Sequence, residues 1–289
     1  MLTAAMIDAL RCPLCASPLT RTDATLRCPR NHTFDLNRHG YVTLGTGRRL
    51  PEGDTPAMVE ARTRFLTTAH YHPLATALTA ICVDHELVDV VDGVSPPRDR
   101  DRQSGGGPLL VDLGAGTGYY LAQVLEGVPA AEGLAFDVSK AALRRAAKAH
   151  PRAGAVLADT WGTLPLADGS VDLLLNVFAP RNGAQMHRVL RPDGLLIVVT
   201  PTGRHLAELR EQLGLLAVDP AKADRLAQEL RDFDPAGARA LEWPLALSEA
   251  ETEDLIAMGP NAFHERAHAT GPVACTASVR IGLYRPRPS

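Results

Sequence analysis

The segment Val111-Asp112-Leu113-Gly114-Ala115-Gly116-Thr117-Gly118 decides the fold. An apolar run over 109–113 ends at a turn with three glycines, and 118–125 continues with helical spacing. Glycine lets a backbone approach a ligand closely and adopt conformations that other residues avoid. A helix that starts at such a turn offers free N–H groups to an anion. The turn by itself suits a dinucleotide as well as a nucleoside cofactor.

Acids further on narrow the choice. Asp137 ends a second strand over 133–137. It lies about 20 residues beyond the turn, where a carboxylate can accept both hydroxyls of a ribose. Asp159 follows a third strand over 155–158. Class I methyltransferases commonly set an acid there against the adenine amino group. Leu190-Arg191-Pro192-Asp193-Gly194-Leu195-Leu196 resembles a turn-plus-strand segment of that superfamily, with Asp193 in place of its first glycine. Together these favour S-adenosylmethionine over NAD. Asp112, Gly114, Gly116, Asp137 and Asp159 are its candidate contacts.

Two more buried-strand patterns, 171–176 and 195–200, alternate with helical ones, among them an Ala-rich helix over 139–149 capped by Ser139. This alternation predicts an α/β fold: a Rossmann-like parallel sheet with helices on both faces. The segments 240–247 and 273–284 supply closing antiparallel strands. Upstream, Asp54 is placed to cap a helix over 55–69. Pro73 opens a second helix, from 74 to about 90. Residues 93–107 are polar and rich in glycine and proline, which predicts a flexible loop inside the larger domain.

At the N-terminus, Cys12-Pro-Leu-Cys15 is followed by Cys28 and then His32. Two knuckles joined by a hairpin bring four ligands to the corners of a tetrahedron, the geometry zinc prefers. Four ligands leave no open coordination position, so a Zn2+ held here is structural. The segment has too few apolar residues for a core of its own, and a metal supplies the missing stability.

The 289 residues divide on this reading into a zinc ribbon over 1–47 and a methyltransferase domain over 48–289. An apolar fraction of 45% and a charged fraction of 22% are those of a soluble globular protein. No apolar run reaches the roughly 18 residues of a membrane span, and no signal peptide is evident. A cytoplasmic protein with no membrane partner is expected. Cys82 and Cys275 stand alone in apolar surroundings and read as buried, inert thiols. The net charge is −3, but residues 1–50 hold seven arginines against three aspartates. A basic module on an acidic body is the layout of an RNA-docking appendage.

Seven segments occur in order: Cys-Pro-Leu-Cys (12–15), Cys-Pro-Arg-Asn-His-Thr-Phe-Asp (28–35), Gly-Tyr-Val (40–42), Ala-His-Tyr-His-Pro-Leu (69–74), Asp-Leu-Gly-Ala-Gly-Thr-Gly-Tyr-Tyr (112–120), Asp-Val-Ser-Lys (137–140) and Thr-Pro-Thr-Gly-Arg-His-Leu-Ala-Glu-Leu (200–209). In these the chain resembles the RlmA/TlrB family of 23S rRNA (guanine-N1)-methyltransferases, over nearly its whole length. The resemblance implies that Cys12, Cys15, Cys28 and His32 hold zinc. It implies that Tyr71, Gly116, Thr117 and His205 line the S-adenosylmethionine site, with Asp137 on the ribose. It implies a guanine target in hairpin 35 of 23S rRNA and a homodimer. The TlrB branch, which modifies position 748 rather than 745 and confers resistance to tylosin-type macrolides, is the nearer one. The 93–107 insertion is longer than the family needs, and the residues before Ala179-Pro180 vary in the family, so no catalytic base is assigned. The segment Asn176–Pro180 follows the fourth strand, where methyltransferases of this class meet their substrate, and its side chain and backbone acceptors are expected to read the guanine edge. Two other readings stay open: a small-molecule methyltransferase, and a non-catalytic zinc-ribbon RNA-binding protein.

Overall fold

A computed structural model describes residues 1–47, 50–85, 107–214, 222–259 and 271–288. An eight-stranded sheet organises them. Its centre is parallel: β5 (Leu109–Leu113), β6 (Glu132–Asp137), β7 (Ala153–Leu157), β8 (Val171–Val177) and β9 (Leu190–Pro201). β10 (Phe233–Leu247) and β11 (Val273–Pro286) close one edge, β11 antiparallel to both of its neighbours. With β4 (Tyr41–Thr43) at the far edge, the order is β10-β11-β9-β8-β5-β6-β7-β4. β5 is buried along its whole length, as a continuous apolar strand covered on both faces must be.

The strand order reverses at β5, which pairs with β6 on one side and β8 on the other. Connections therefore diverge there, and a crevice opens beyond the carboxyl ends of the strands. Every candidate cofactor residue named from sequence lies on or near these ends.

The helices start where local chemistry allows. α2 (Pro56–Thr67) is capped by Thr55, whose hydroxyl accepts the Met58 N–H, and Pro56 takes the first turn. Asp54 does not cap it; its carboxylate pairs with Arg62 instead. α3 (His72–Asp84) starts at Tyr71, and the expected extension to about 90 lies outside the described residues beyond 85. The 93–107 loop also lies outside them, apart from Gly107. α5 (Lys140–Ala146) is capped by Ser139 as expected, but it ends sooner than 149. β9 begins at Leu190 rather than at 195, because Leu190 already pairs with Val171 before an irregularity shifts the register.

The N-terminal residues do not close on themselves. α1 (Ala4–Ala9) buries Met6, Ile7 and Ala9 against the large sheet. A Cβ on Gly154 would meet Leu2 Cδ2 at 2.5 Å and Met6 Sδ at 2.9 Å, so β7 keeps a glycine where α1 lies on it. A small antiparallel sheet, β1 (Thr20–Thr22), β2 (Thr25–Arg27) and β3 (Thr33–Asp35), follows. β4 then pairs with β7 in parallel. The segment read as a 1–47 module thus gives one strand to the large sheet and one helix to its face. Cys12 and Cys28 sit in the same apolar cluster as Phe136 and Val156.

Candidate functional site

The glycine turn is built as a cradle. Gly114, Gly116 and Gly118 have φ of 77°, 55° and 77°, the left-handed region that favours glycine. A Cβ on Gly114 would stand 2.5 Å from Ala179 Cβ, and one on Gly118 would stand 3.0 Å from the Ala146 backbone. Gly116 meets only the Arg62 side chain, at 3.5 Å, so its outer face stays open to a ligand. Thr117 is half-buried beside it. Gly118 opens α4 (Tyr119–Gly127) without a side-chain cap, which leaves the N–H groups of that helix end for a ligand.

Asp137 closes the turn. Its Oδ2 accepts the Gly116 N–H and its Oδ1 the Ser139 N–H, both at 2.8 Å. Each oxygen keeps a second acceptor site for a ribose hydroxyl. Burial raises its pKa and outweighs the two hydrogen bonds that favour the charged form. Asp112 lies within one strand's length of it and is buried, with Oδ1 unpaired among the described residues. Burial, and then the nearby Asp137 charge, push its carboxyl up to about 8. A buried acceptor without a partner at the base of a cradle fits a donor that arrives with a ligand. Asp159 is half-buried and spends Oδ1 on the Trp161 N–H at 2.9 Å, keeping Oδ2.

A second cluster stands at the ends of β8 and β9. Tyr71 is buried, and its hydroxyl lies 3.3 Å from His205 Nε2. His205 Nδ1 accepts the Ser278 N–H at 3.1 Å, which places the proton of the neutral ring on Nε2, pointing at Tyr71. Tyr71 is enclosed by Phe65 and Trp243 at centroid distances of 5.6 and 5.4 Å, and by Phe178 at 6.4 Å. Burial raises its pKa strongly, so it stays a phenol. Burial raises the Tyr120 pKa well above its usual value. Ala179, next to Phe178, packs against Gly114 and so brings this cluster beside the cradle.

Sequence reasoning overlooked Arg62 and Phe178. Arg62 Nη2 bonds Asp54 Oδ2 and the Met258 carbonyl, both at 2.7 Å, which swings its side chain over Gly116. The Asp54 carbonyl in turn accepts from Ser139 Oγ at 2.7 Å. No motif announced this arrangement, because it depends on a crossing of chain segments. Asn176 stands behind the loop that follows β8. It is fully buried, and its Nδ2 donates to the Leu113 and Pro180 carbonyls at 3.3 and 2.9 Å. Its amide N–H groups brace the loop, and its Oδ1 has no partner among the described residues.

At the ribbon, Cys12, Cys15, Cys28 and His32 converge, with ligand atoms within 4.8 Å of one another. The Cys15–Cys28 sulfurs are 3.7 Å apart, and His32 Nδ1 is 3.4 Å from both Cys12 and Cys28 sulfurs. Zinc–sulfur bonds of about 2.3 Å at the tetrahedral angle require sulfurs about 3.8 Å apart. The donor set and spacing fit one structural zinc. Cys82 and Cys275 are buried thiols, raised by burial to about 12 and about 11. Among the described residues, no helix is long and apolar enough to cross a membrane.

A sheet of this order, a glycine cradle braced by a carboxylate and a Cys3His ribbon define a class I S-adenosylmethionine-dependent methyltransferase with an N-terminal zinc ribbon. Residues 10–45 match the family described as "RlmA, N-terminal", a zinc ribbon, and residues 110–194 match a methyltransferase domain. The chain is 51% identical to a Micromonospora griseorubida protein assigned as a 23S rRNA (guanine-N1)-methyltransferase, over 97% of this chain and 98% of that one. It is 43% identical to the 23S rRNA (guanine(748)-N(1))-methyltransferase of Streptomyces fradiae, over 98% and 99%. A Bacillus subtilis protein assigned to the same activity is 33% identical over 70% of this chain and 68% of its own. The chain belongs to the RlmA/TlrB family of 23S rRNA (guanine-N1)-methyltransferases.

Proposed function

We propose that this chain methylates N1 of guanine 748 in hairpin 35 of 23S rRNA, and that the modification confers resistance to tylosin-type macrolides. The observation that carries the choice of nucleotide is the full-length match to the guanine-748 enzyme of Streptomyces fradiae. We place the activity in the cytoplasm, on a homodimer.

The residues then divide as follows. Cys12, Cys15, Cys28 and His32 hold the zinc and fix the ribbon's hairpin. Asp137 holds the cofactor ribose, and Asp159 Oδ2 the adenine amino group. Gly114, Gly116 and Thr117 would receive the methionyl end, with Asp112 available to its ammonium and Arg62 to its carboxylate. Tyr71 and His205 line the cofactor site on the side where the acceptor base enters. When bound, S-adenosylmethionine supplies an electrophilic methyl group on a sulfonium. Positioning of the acceptor then supplies much of the rate. Guanine N1 must give up its proton as it gains the methyl group. That proton goes to a side chain or to water, and the Nδ1 lone pair of His205 is committed to the Ser278 N–H.

The docking surface is cationic. Arg38 and His39 lie at the ribbon turn that packs on α5, where Gly40 would bring a Cβ within 3.3 Å of Ala147. Burial and then the nearby Arg144, Arg38 and Lys148 charges lower the His39 pKa. These arginines and the lysine, on the ribbon turn, in α5 and just after it, are the ones we assign to the RNA phosphates.

Primer extension across hairpin 35 tests the reading, in cells with and without the gene. N1-methylguanine blocks base pairing and stops reverse transcriptase. A gene-dependent stop at 748 supports it, a stop at 745 moves the target within the loop, and no stop overturns it in favour of a small-molecule acceptor.

A further inference from the structure

We propose that the ring of Phe178 is the platform on which the acceptor base stacks. The inference rests on the reading of a nucleobase acceptor and goes beyond it by naming the surface that holds the base.

Phe178 follows β8 at the carboxyl end of the sheet, beside the point where the strand order reverses. It is 41% exposed, whereas its neighbours Val177 and Ala179 are buried. A single exposed apolar side chain is common by itself; here the backbone conformation and the backing of the ring set Phe178 apart. Its φ of 55° is the left-handed region, which a bulky side chain rarely adopts. Such conformations persist only where the surroundings enforce them, and they gather at functional sites. Leu206, the residue after His205, has a φ of 54°, so two such positions flank one place.

The surroundings do enforce it. The Phe178 N–H donates to the Val199 carbonyl at 3.1 Å. Asn176 Nδ2 holds the Pro180 carbonyl from behind. Ala179 sits against Gly114, in space that no Cβ could share. The backbone is therefore pinned to β9, to β8 and to the cofactor turn at once. This links the position of the ring to that of the cradle.

The ring itself is backed on one side. His205 lies 5.9 Å away, tilted by 34°, and Tyr71 stands edge-on at 6.4 Å. The hydrogen bonds from Tyr71 to His205 and from Ser278 to His205 keep this backing in place. An aromatic face that is rigid behind and open in front, next to a methyl-donor cradle, suits a flat π-system. A base out of its own stack is stabilised when it regains stacking on such a face.

The test compares the wild type with Phe178→Leu, Phe178→Tyr and Phe178→Gly on a 23S rRNA fragment carrying hairpin 35. Methyl transfer is measured over a range of RNA concentrations, and S-adenosylmethionine affinity by calorimetry. Glycine accepts the left-handed backbone without strain, and unchanged cofactor affinity shows that the loop against Gly114 keeps its place. The proposal expects kcat/KM for RNA to fall by about five- to a hundredfold in the Leu and Gly variants. It expects tyrosine to retain activity within about threefold, and cofactor affinity to stay at the wild-type value in all three. Full RNA activity in Phe178→Leu overturns the stacking role, and so does a parallel loss of cofactor affinity. If the wild type leaves the RNA unmethylated, the reading of the substrate fails and takes this proposal with it.

Discussion

The Tyr71 hydroxyl and His205 Nε2 meet at 3.3 Å across 134 residues of sequence, and this pair joins the start of α3 to the end of β9. Tyr71→Phe removes the hydroxyl that meets His205 Nε2. The cost is about 1–2 kcal/mol, seen as a Tm lower by about 2–5 °C. Calorimetry then separates two roles. A weaker S-adenosylmethionine affinity in the phenylalanine variant marks Tyr71 as a cofactor contact. Unchanged affinity with slower methyl transfer places it on the acceptor side.

Asp112 gives the cofactor-free protein a pH dependence of defined sign. Its folded pKa of about 8 stands above the usual carboxylate value of about 4. The folded state therefore binds one proton more than the unfolded state between those values. Stability from this group is complete below pH ~4 and is lost as pH rises through ~8. Tm measured from pH 5 to 9 should fall across the window in the wild type and fall less in Asp112→Asn. An ammonium brought by the cofactor favours the charged carboxylate, so binding at pH 7 should release protons. Calorimetry in buffers of different ionisation enthalpy reads that release, and an equal release in the asparagine variant assigns it elsewhere.

Arg62 makes a half-exposed pair with Asp54, which by itself contributes only about 0–1 kcal/mol. Arg62→Met should leave Tm within about 2 °C of wild type. It should weaken S-adenosylmethionine binding by about tenfold or more, as loss of a charge-assisted contact to a carboxylate does. A cofactor analogue without the carboxylate should bind both proteins equally; a residual difference would show that Arg62 acts through the turn instead.

Removal of zinc should act beyond the ribbon. Cys12 and Cys28 share an apolar cluster with Phe136 on β6, so chelation or Cys28→Ser should lower the Tm of the whole chain. Zinc binds thiolates and neutral imidazole, so binding displaces protons and zinc affinity falls as pH falls. Metal content after dialysis at pH 5 and pH 8 measures this, and equal retention at both would contradict it.

The cationic surface that runs from Arg38 to Arg144 and Lys148 should show in the salt dependence of RNA binding. Replacing all three by alanine should reduce the slope of log K against log salt by about 2–3. An unchanged slope would place the RNA on another face.

Much of the site was legible as local pattern. The glycine turn, Asp137 at its strand end and the Cys3His spacing need only neighbouring residues, and the structure brings each set together where the pattern placed it. The assignment of Asp54 as a helix cap failed because a carboxylate serves a cap or an arginine equally well, and Arg62 won it. The sequence places Asn176 at the crevice because its segment follows the fourth strand. That its Nδ2 is spent on the Leu113 and Pro180 carbonyls, while Oδ1 keeps no partner among the described residues, depends on contacts no local pattern encodes.

The sequence by itself determined the layered α/β class, the strand order's cofactor end and the metal-ligand set. Those follow from hydrophobic period, glycine positions and short spacings, all of which act over a few residues. Only the tertiary structure decided that β4 and α1 join the large sheet, that Arg62 crosses over Gly116, and that Phe178 is held outward against His205. These depend on contacts between segments far apart in the chain. A side chain's partners there are set by how surfaces pack, and no local pattern encodes that.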